Sequence, residues 1–142
     1  MRNLILLLLI PFLGFTQNYS KAVEFQNTVR TYYNLKPYVT SATLNKIAQL
    51  KAEYLAEIDK LETSVDPFGE TIFRIEKPTM IKDKDYYLDA TIGWVLNLAW
   101  TKNQVLCSIC SEVGYGWAEN DTNVYIVAKY DKMYIDRKYD WK

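Results

Sequence analysis

The stretch VGYGWAENDTNVYIVAKY, Val113 to Tyr130, constrains the fold more than any other part of the chain. Apolar residues alternate with others on either side of a polar turn, Glu119 to Asn123, rich in Asn and Asp, and this is the pattern of a β-hairpin. Val113, Tyr115 and Trp117 before the turn, with Val124, Tyr125, Ile126 and Val127 after it, place apolar side chains on both faces. Such a hairpin needs cover above and below, so three layers account for it better than two.

The preceding segments supply that cover. Ser20 is an N-cap candidate for a helix in which Ala22, Val23, Phe25, Val29, Tyr32 and Tyr33 recur near helical spacing, ending near Asn34. Pro37 bars helix at Lys36, and Ser41 offers a second N-cap. From Ala42 to Leu61, Leu44, Ile47, Ala48, Tyr54, Leu55, Ile58 and Leu61 form one apolar stripe, with Lys46, Gln49, Glu53, Glu57 and Lys60 largely off it. Thr63 to Gly69 reads as a loop leading into a strand, Thr71 to Glu76, that Pro78 ends. Tyr86 to Trp100 has helical spacing at Tyr87, Ala90, Trp94 and Leu98 and is apolar on more than one side. Gln104 to Ile109 is predicted as a strand. Helices followed by a terminal strand meander imply an α+β fold, an α-β-α sandwich with a small antiparallel sheet between helices.

At 142 residues, 49% of them hydrophobic and 24% charged, the chain fits one domain with a real core. Its beginning has a different character. Arg2 precedes an apolar run, Leu4 to Phe15, that is too short to span a bilayer and is interrupted by Pro11. With small residues at Gly14 and Thr16, residues 1–16 read as a secretory signal cleaved before Gln17, leaving a domain over residues 20–132, a tail over 133–142 and no membrane span in the mature chain. The expected destination is the periplasm, the cell surface or the medium. Basic and acidic residues are equal in number and interspersed, so the cationic stripe that nucleic acid requires is missing.

Three places resemble the CAP superfamily of cysteine-rich secretory, antigen 5 and pathogenesis-related proteins. AQLKAEYLAEIDKLETS, Ala48 to Ser64, resembles the family helix that finishes in a His-Ser pair. Gly69-Glu70-Thr71 resembles its Gly-Glu-Asn, and WVLN, Trp94 to Asn97, its Trp-x-x-Glu. The hairpin resembles its Val-Gly-x-Gly strand, turn and closing strand. The resemblance implies an α-β-α sandwich with a surface groove in which two His and two Glu can hold a divalent metal. Position by position, those four groups fall on Thr63, Glu70, Asn97 and Thr101. Only Glu70 keeps the family's residue type. The chain has no histidine, so a site built on imidazole is excluded, and Glu70 with neutral oxygen donors is a poor zinc site. No metal or other cofactor is expected.

What remains is a secreted domain binding a protein, or a small apolar or saccharide ligand, in a groove near Glu70. The alternative is an enzyme: a cell-envelope hydrolase using Glu70 as general acid or base, or a thiol oxidoreductase using Cys107 and Cys110. Glu70 has no carboxylate partner in any motif, and the commoner role of such a residue is local hydrogen bonding at the groove floor. The spacing C-S-I-C allows a disulfide, a redox pair or two separate thiols. In an extended strand the two Cα atoms stand roughly 10 Å apart, beyond bonding reach, whereas a tight turn at Ser108-Ile109 brings them together. Aromatics make up 15% of the chain, and rings such as Tyr115 and Trp117 could either pack the core or line a groove.

Overall fold

The computed structural model describes residues 19–134 except 97 and 98. The signal reading of residues 1–16, the candidate Asn97 and the tail beyond Tyr134 lie outside these described residues. Helix α1 spans Ser20–Tyr32, strand β1 Val39–Thr40 and helix α2 Ala42–Ile58. Strand β2 spans Gly69–Glu76, and a 3-10 turn over Lys77–Thr79 ends it. Helix α3 covers Tyr86–Leu96, helix α4 Ala99–Val105, strand β3 Glu112–Glu119 and strand β4 Asn123–Tyr130.

The strands form one sheet in the order β1-β3-β4-β2. The three long strands are antiparallel, with Gly116 opposite Val127 and Val127 opposite Ile72. The short β1 adds in parallel at Glu112 and Val113. Helix α2 covers one face and α1 and α3 the other, giving the α-β-α sandwich expected from the hairpin's two apolar faces. The central strand β4 is buried from Val124 to Tyr130.

Helix α2 begins where Ser41 accepts the amide of Leu44, as an N-cap should. It ends earlier than its apolar stripe predicts, at Ile58, because Asp59 turns left-handed at φ 51°. The Asp59 carboxylate then receives Asn120, Asn123 and the Tyr125 hydroxyl, all at 2.8 Å. This ties the helix end to the hairpin turn.

The Gly-x-Gly of β3 governs how close α2 lies. A Cβ at Gly116 would stand 2.3 Å from the Ala48 carbonyl carbon, and one at Gly114 2.2 Å from the Asn45 nitrogen. Neither glycine has positive φ, so their purpose is approach, not backbone conformation. That approach lets two side chains one helical turn apart replace the strand that β1 is too short to supply. Asn45 accepts the amide of Tyr115, and Gln49 accepts the amide of Trp117 and donates to its carbonyl. An otherwise open sheet edge is closed by helix side chains.

One reading is corrected. The helix expected from Tyr86 to Trp100 is seen over Tyr86–Leu96 and again from Ala99, and helix to Val105 followed by a turn stands where a strand over Gln104 to Ile109 is predicted. The segment touches β2 through the Gln104 side chain, which lies against Gly69, and does not pair with it. After α4 the chain turns tightly, bringing the Cα atoms of Cys107 and Cys110 to 5.4 Å in a disulfide.

Candidate functional site

Buried Arg30 organises the disulfide turn. Its guanidinium donates to the carbonyls of Val105 and Cys107 at 2.8 Å, to Cys110 at 3.2 Å and to Lys36 at 2.8 Å, and it stacks 3.8 Å from the Tyr38 ring centroid. Carbonyls left over at the end of α4 thus gain donors, and α1 is stapled to the turn. Desolvation lowers the Arg30 pKa from its ordinary value. Both sulfurs are buried and follow a helix C-terminus, whose partial negative charge disfavours a thiolate. The arrangement is that of a structural crosslink.

Glu70 lies on the α2 face of β2, directly opposite Lys129 of β4. Strand alternation puts Tyr125, Val127 and Lys129 on this same face, two of them core residues and the third a lysine whose side chain is 1% exposed. The ammonium group lies 2.7 Å from Glu70 Oε2 and 2.7 Å from Asp66 Oδ2. Glu70 in turn accepts the Ser64 amide at 3.1 Å and the Ser64 hydroxyl at 2.6 Å, and Asp66 accepts the Phe68 amide at 3.1 Å. Both oxygens of Glu70 are therefore engaged. The loop after α2 is bound to the sheet through one lysine and two carboxylates.

A cleft of about 420 Å³ opens beside this cluster, between α2 and the loop, lined by Ile47, Leu50, Tyr54, Thr63, Val65 and Lys129 among others. Leu50, Tyr54 and Val65 are exposed at its rim. Of the positions singled out in the sequence, Thr63 and Glu70 come together here, joined through Ser64. Thr101 sits on α4, where its hydroxyl donates to the Trp94 carbonyl at 2.6 Å. The Trp94 indole donates to the Ile72 carbonyl on the flank of β2. In the sequence, Asp66 and Lys129 belong to no site motif, and Ser64 is marked only as the second residue of the His-Ser position. One signal was available: a lysine at a core-facing position of an alternating strand is rare without a buried partner.

Tyr115 and Trp117 do not line this cleft. They face away from α2, Tyr115 buried and Trp117 half-buried, among Tyr19, Tyr87 and Trp94.

A sandwich of this topology, with a cleft beside the Gly-Glu strand, defines a class, and the comparisons identify it. Residues 23–130 match the CAP model, described as the cysteine-rich secretory protein family, and the chain belongs to that family. NaASP2, in a crystal structure with Zn2+, superposes with a TM-score of 0.67 at 16% identity, over 84% of this chain and 83% of that one. The hookworm platelet inhibitor gives 0.61 at 15% identity, over 83% and 70%. An outer surface protein of Borrelia burgdorferi gives 0.55 at 16% identity, over 80% and 89%. At such identities the likeness is one of fold. A search among curated proteins finds no match.

A zinc ion does not fit the residues present. Glu70 has both oxygens committed and an ammonium group against one of them, and the chain has no imidazole. Among the described residues no group of three or more His, Cys, Asp or Glu is placed to hold a metal.

Proposed function

We propose that this CAP domain is a secreted, non-enzymatic binding module, taking a protein or a small apolar or saccharide ligand in the cleft beside Glu70. The observation that supports it most is the commitment of Glu70. A general acid or base must present its carboxyl to substrate, and here Ser64 and Lys129 engage both oxygens of a side chain that is only 10% exposed. The neighbouring cleft has what a binder needs: apolar area from Leu50, Tyr54 and Val65, next to the polar groups of Thr63 and Ser64. No helix among the described residues is long and apolar enough to cross a membrane, and the apolar run of residues 4–15 suits a removed leader.

The test is an NMR titration of 15N-labelled protein with octyl glucoside, a chito-oligosaccharide and an apolar peptide. Saturable shifts at Leu50, Tyr54, Ser64 and Val65, abolished by Val65→Asp, are expected for at least one. Shifts unchanged in Val65→Asp, or hydrolysis of a cell-envelope polymer that is lost in Glu70→Gln, would remove this reading.

A further inference from the structure

A lysine buried on a sheet face is costly unless its charge is compensated where it lies. Lys129 is compensated twice, by Glu70 and by Asp66, each at 2.7 Å. Each carboxylate is itself held from the loop, Glu70 by Ser64 and Asp66 by the Phe68 amide. A central cation, two carboxylates at close range and a hydroxyl bonded to one of them form the layout of a hard-cation site. Here the cation belongs to the chain.

We infer that Lys129 is the resident cation of the family's acidic position. Its ammonium group stands against Glu70, the only one of the four family positions that keeps a carboxylate in this chain, and so keeps the loop on the sheet without metal and closes the place to metal. This rests on Glu70 being the family's acidic position and not on the identity of any ligand in the cleft. The two readings can therefore fail separately.

The reason a lysine can serve is geometric. The β2–β4 register sets Glu70 and Lys129 side by side on one face. An ammonium group supplies three donors to oxygen acceptors. It cannot be chelated away.

The experiment uses the full chain and thermal melts in EDTA, zinc chloride and calcium chloride, with calorimetric titration of both metals. The wild type is expected to melt at one temperature under all conditions and to give no binding heat. Lys129→Met, which leaves two carboxylates without their cation, is expected to melt roughly 10 °C lower. Calcium should raise that variant's melting temperature, because the freed oxygens of Glu70 and Asp66 are hard donors. Lys129→Met with Glu70→Gln should lose the calcium response and regain part of the stability. Stoichiometric zinc or calcium binding by the wild type that Glu70→Gln abolishes would overturn the inference. So would a Lys129→Met melting curve equal to wild type, or an equal calcium response in both. Should Lys129→Met not fold, the wild-type titrations and Lys129→Arg, expected to fold and to ignore both metals, still decide.

Discussion

On the α2 face, Gly114, Gly116 and Ala118 of β3 meet a helix that presents Ala48, Ala52 and Ala56. On the opposite face, Tyr115 and Trp117 of the same strand meet Tyr19, Tyr87 and Trp94. The first face is thin. Small residues bring α2 near enough for Asn45 and Gln49 to bond the strand backbone, and the charged groups gather at its margin, in the Lys129 cluster and at Asp59. The second face is thick, and its polar atoms are inside it. Gln26 donates to the Tyr115 hydroxyl, Tyr115 to Thr91, and Thr91 to the Tyr87 carbonyl, while Tyr130 shares a bond with Thr71. Residues that alternate along one strand thus define two interiors, one held by close backbone approach and the other by aromatic volume with hydroxyl relays.

The sharpest way to separate the two faces is alkali. Burial pushes the Tyr130 phenol up to about 12 and raises Tyr87 and Tyr115 above their ordinary 10.0. A phenol whose folded pKa is raised contributes stability that is fully present below pH 10 and is lost as pH rises toward the folded value. Between pH 10 and 12 the protein should therefore unfold cooperatively, with the ring carbon NMR signals of Tyr87, Tyr115 and Tyr130 keeping their phenol positions until near-ultraviolet circular dichroism is lost. Ionisation of these three rings while the dichroism persists would mean that the aromatic face admits water.

A smaller effect tests the thin face. Gly116→Ala places a methyl group against the Ala48 backbone, which cannot rotate away, and should cost about 2 kcal/mol in urea denaturation. The same substitution would be mildly stabilising if the glycine were there only by composition. Smallest of all is the tie between α2 and the hairpin turn. Hydrogen bonds from Asn123, Asn120 and Tyr125 hold the Asp59 carboxyl below its ordinary 3.8. A depressed carboxylate contributes stability above its unfolded pKa that is lost as pH falls through the folded one. Asp59→Asn should lower the urea midpoint slightly at pH 6, and the difference from wild type should shrink as pH falls below 3.8 and the carboxylate is protonated. A gap that persists in acid would assign the role to shape instead of charge.

The hairpin and α2 were legible because each declares itself locally, by alternation about an Asn-rich turn and by an apolar stripe behind Ser41. The family was legible for the same reason, since its motifs are short and keep their order. The segment from Ala99 to Cys110 was not. Gln104, Val105 and Ile109 suit a strand, but the packing of α4 along β2, the clamp of Arg30 and the crosslink make it a helix and a turn. These are contacts with α1 and β2, far away in the chain. Half of the site was hidden in the same way: Glu70 could be named from its motif, while Lys129 gained its meaning only from the register that sets it opposite.

By itself the sequence determined the layering, the family and the absence of any imidazole, because periodicity, motif order and composition are properties of the chain alone. Only the tertiary structure decided that Cys107 and Cys110 are bonded and that the cation at Glu70 is a lysine from the neighbouring strand. Both depend on distances between residues that the chain must fold to bring together, and no local pattern encodes a distance.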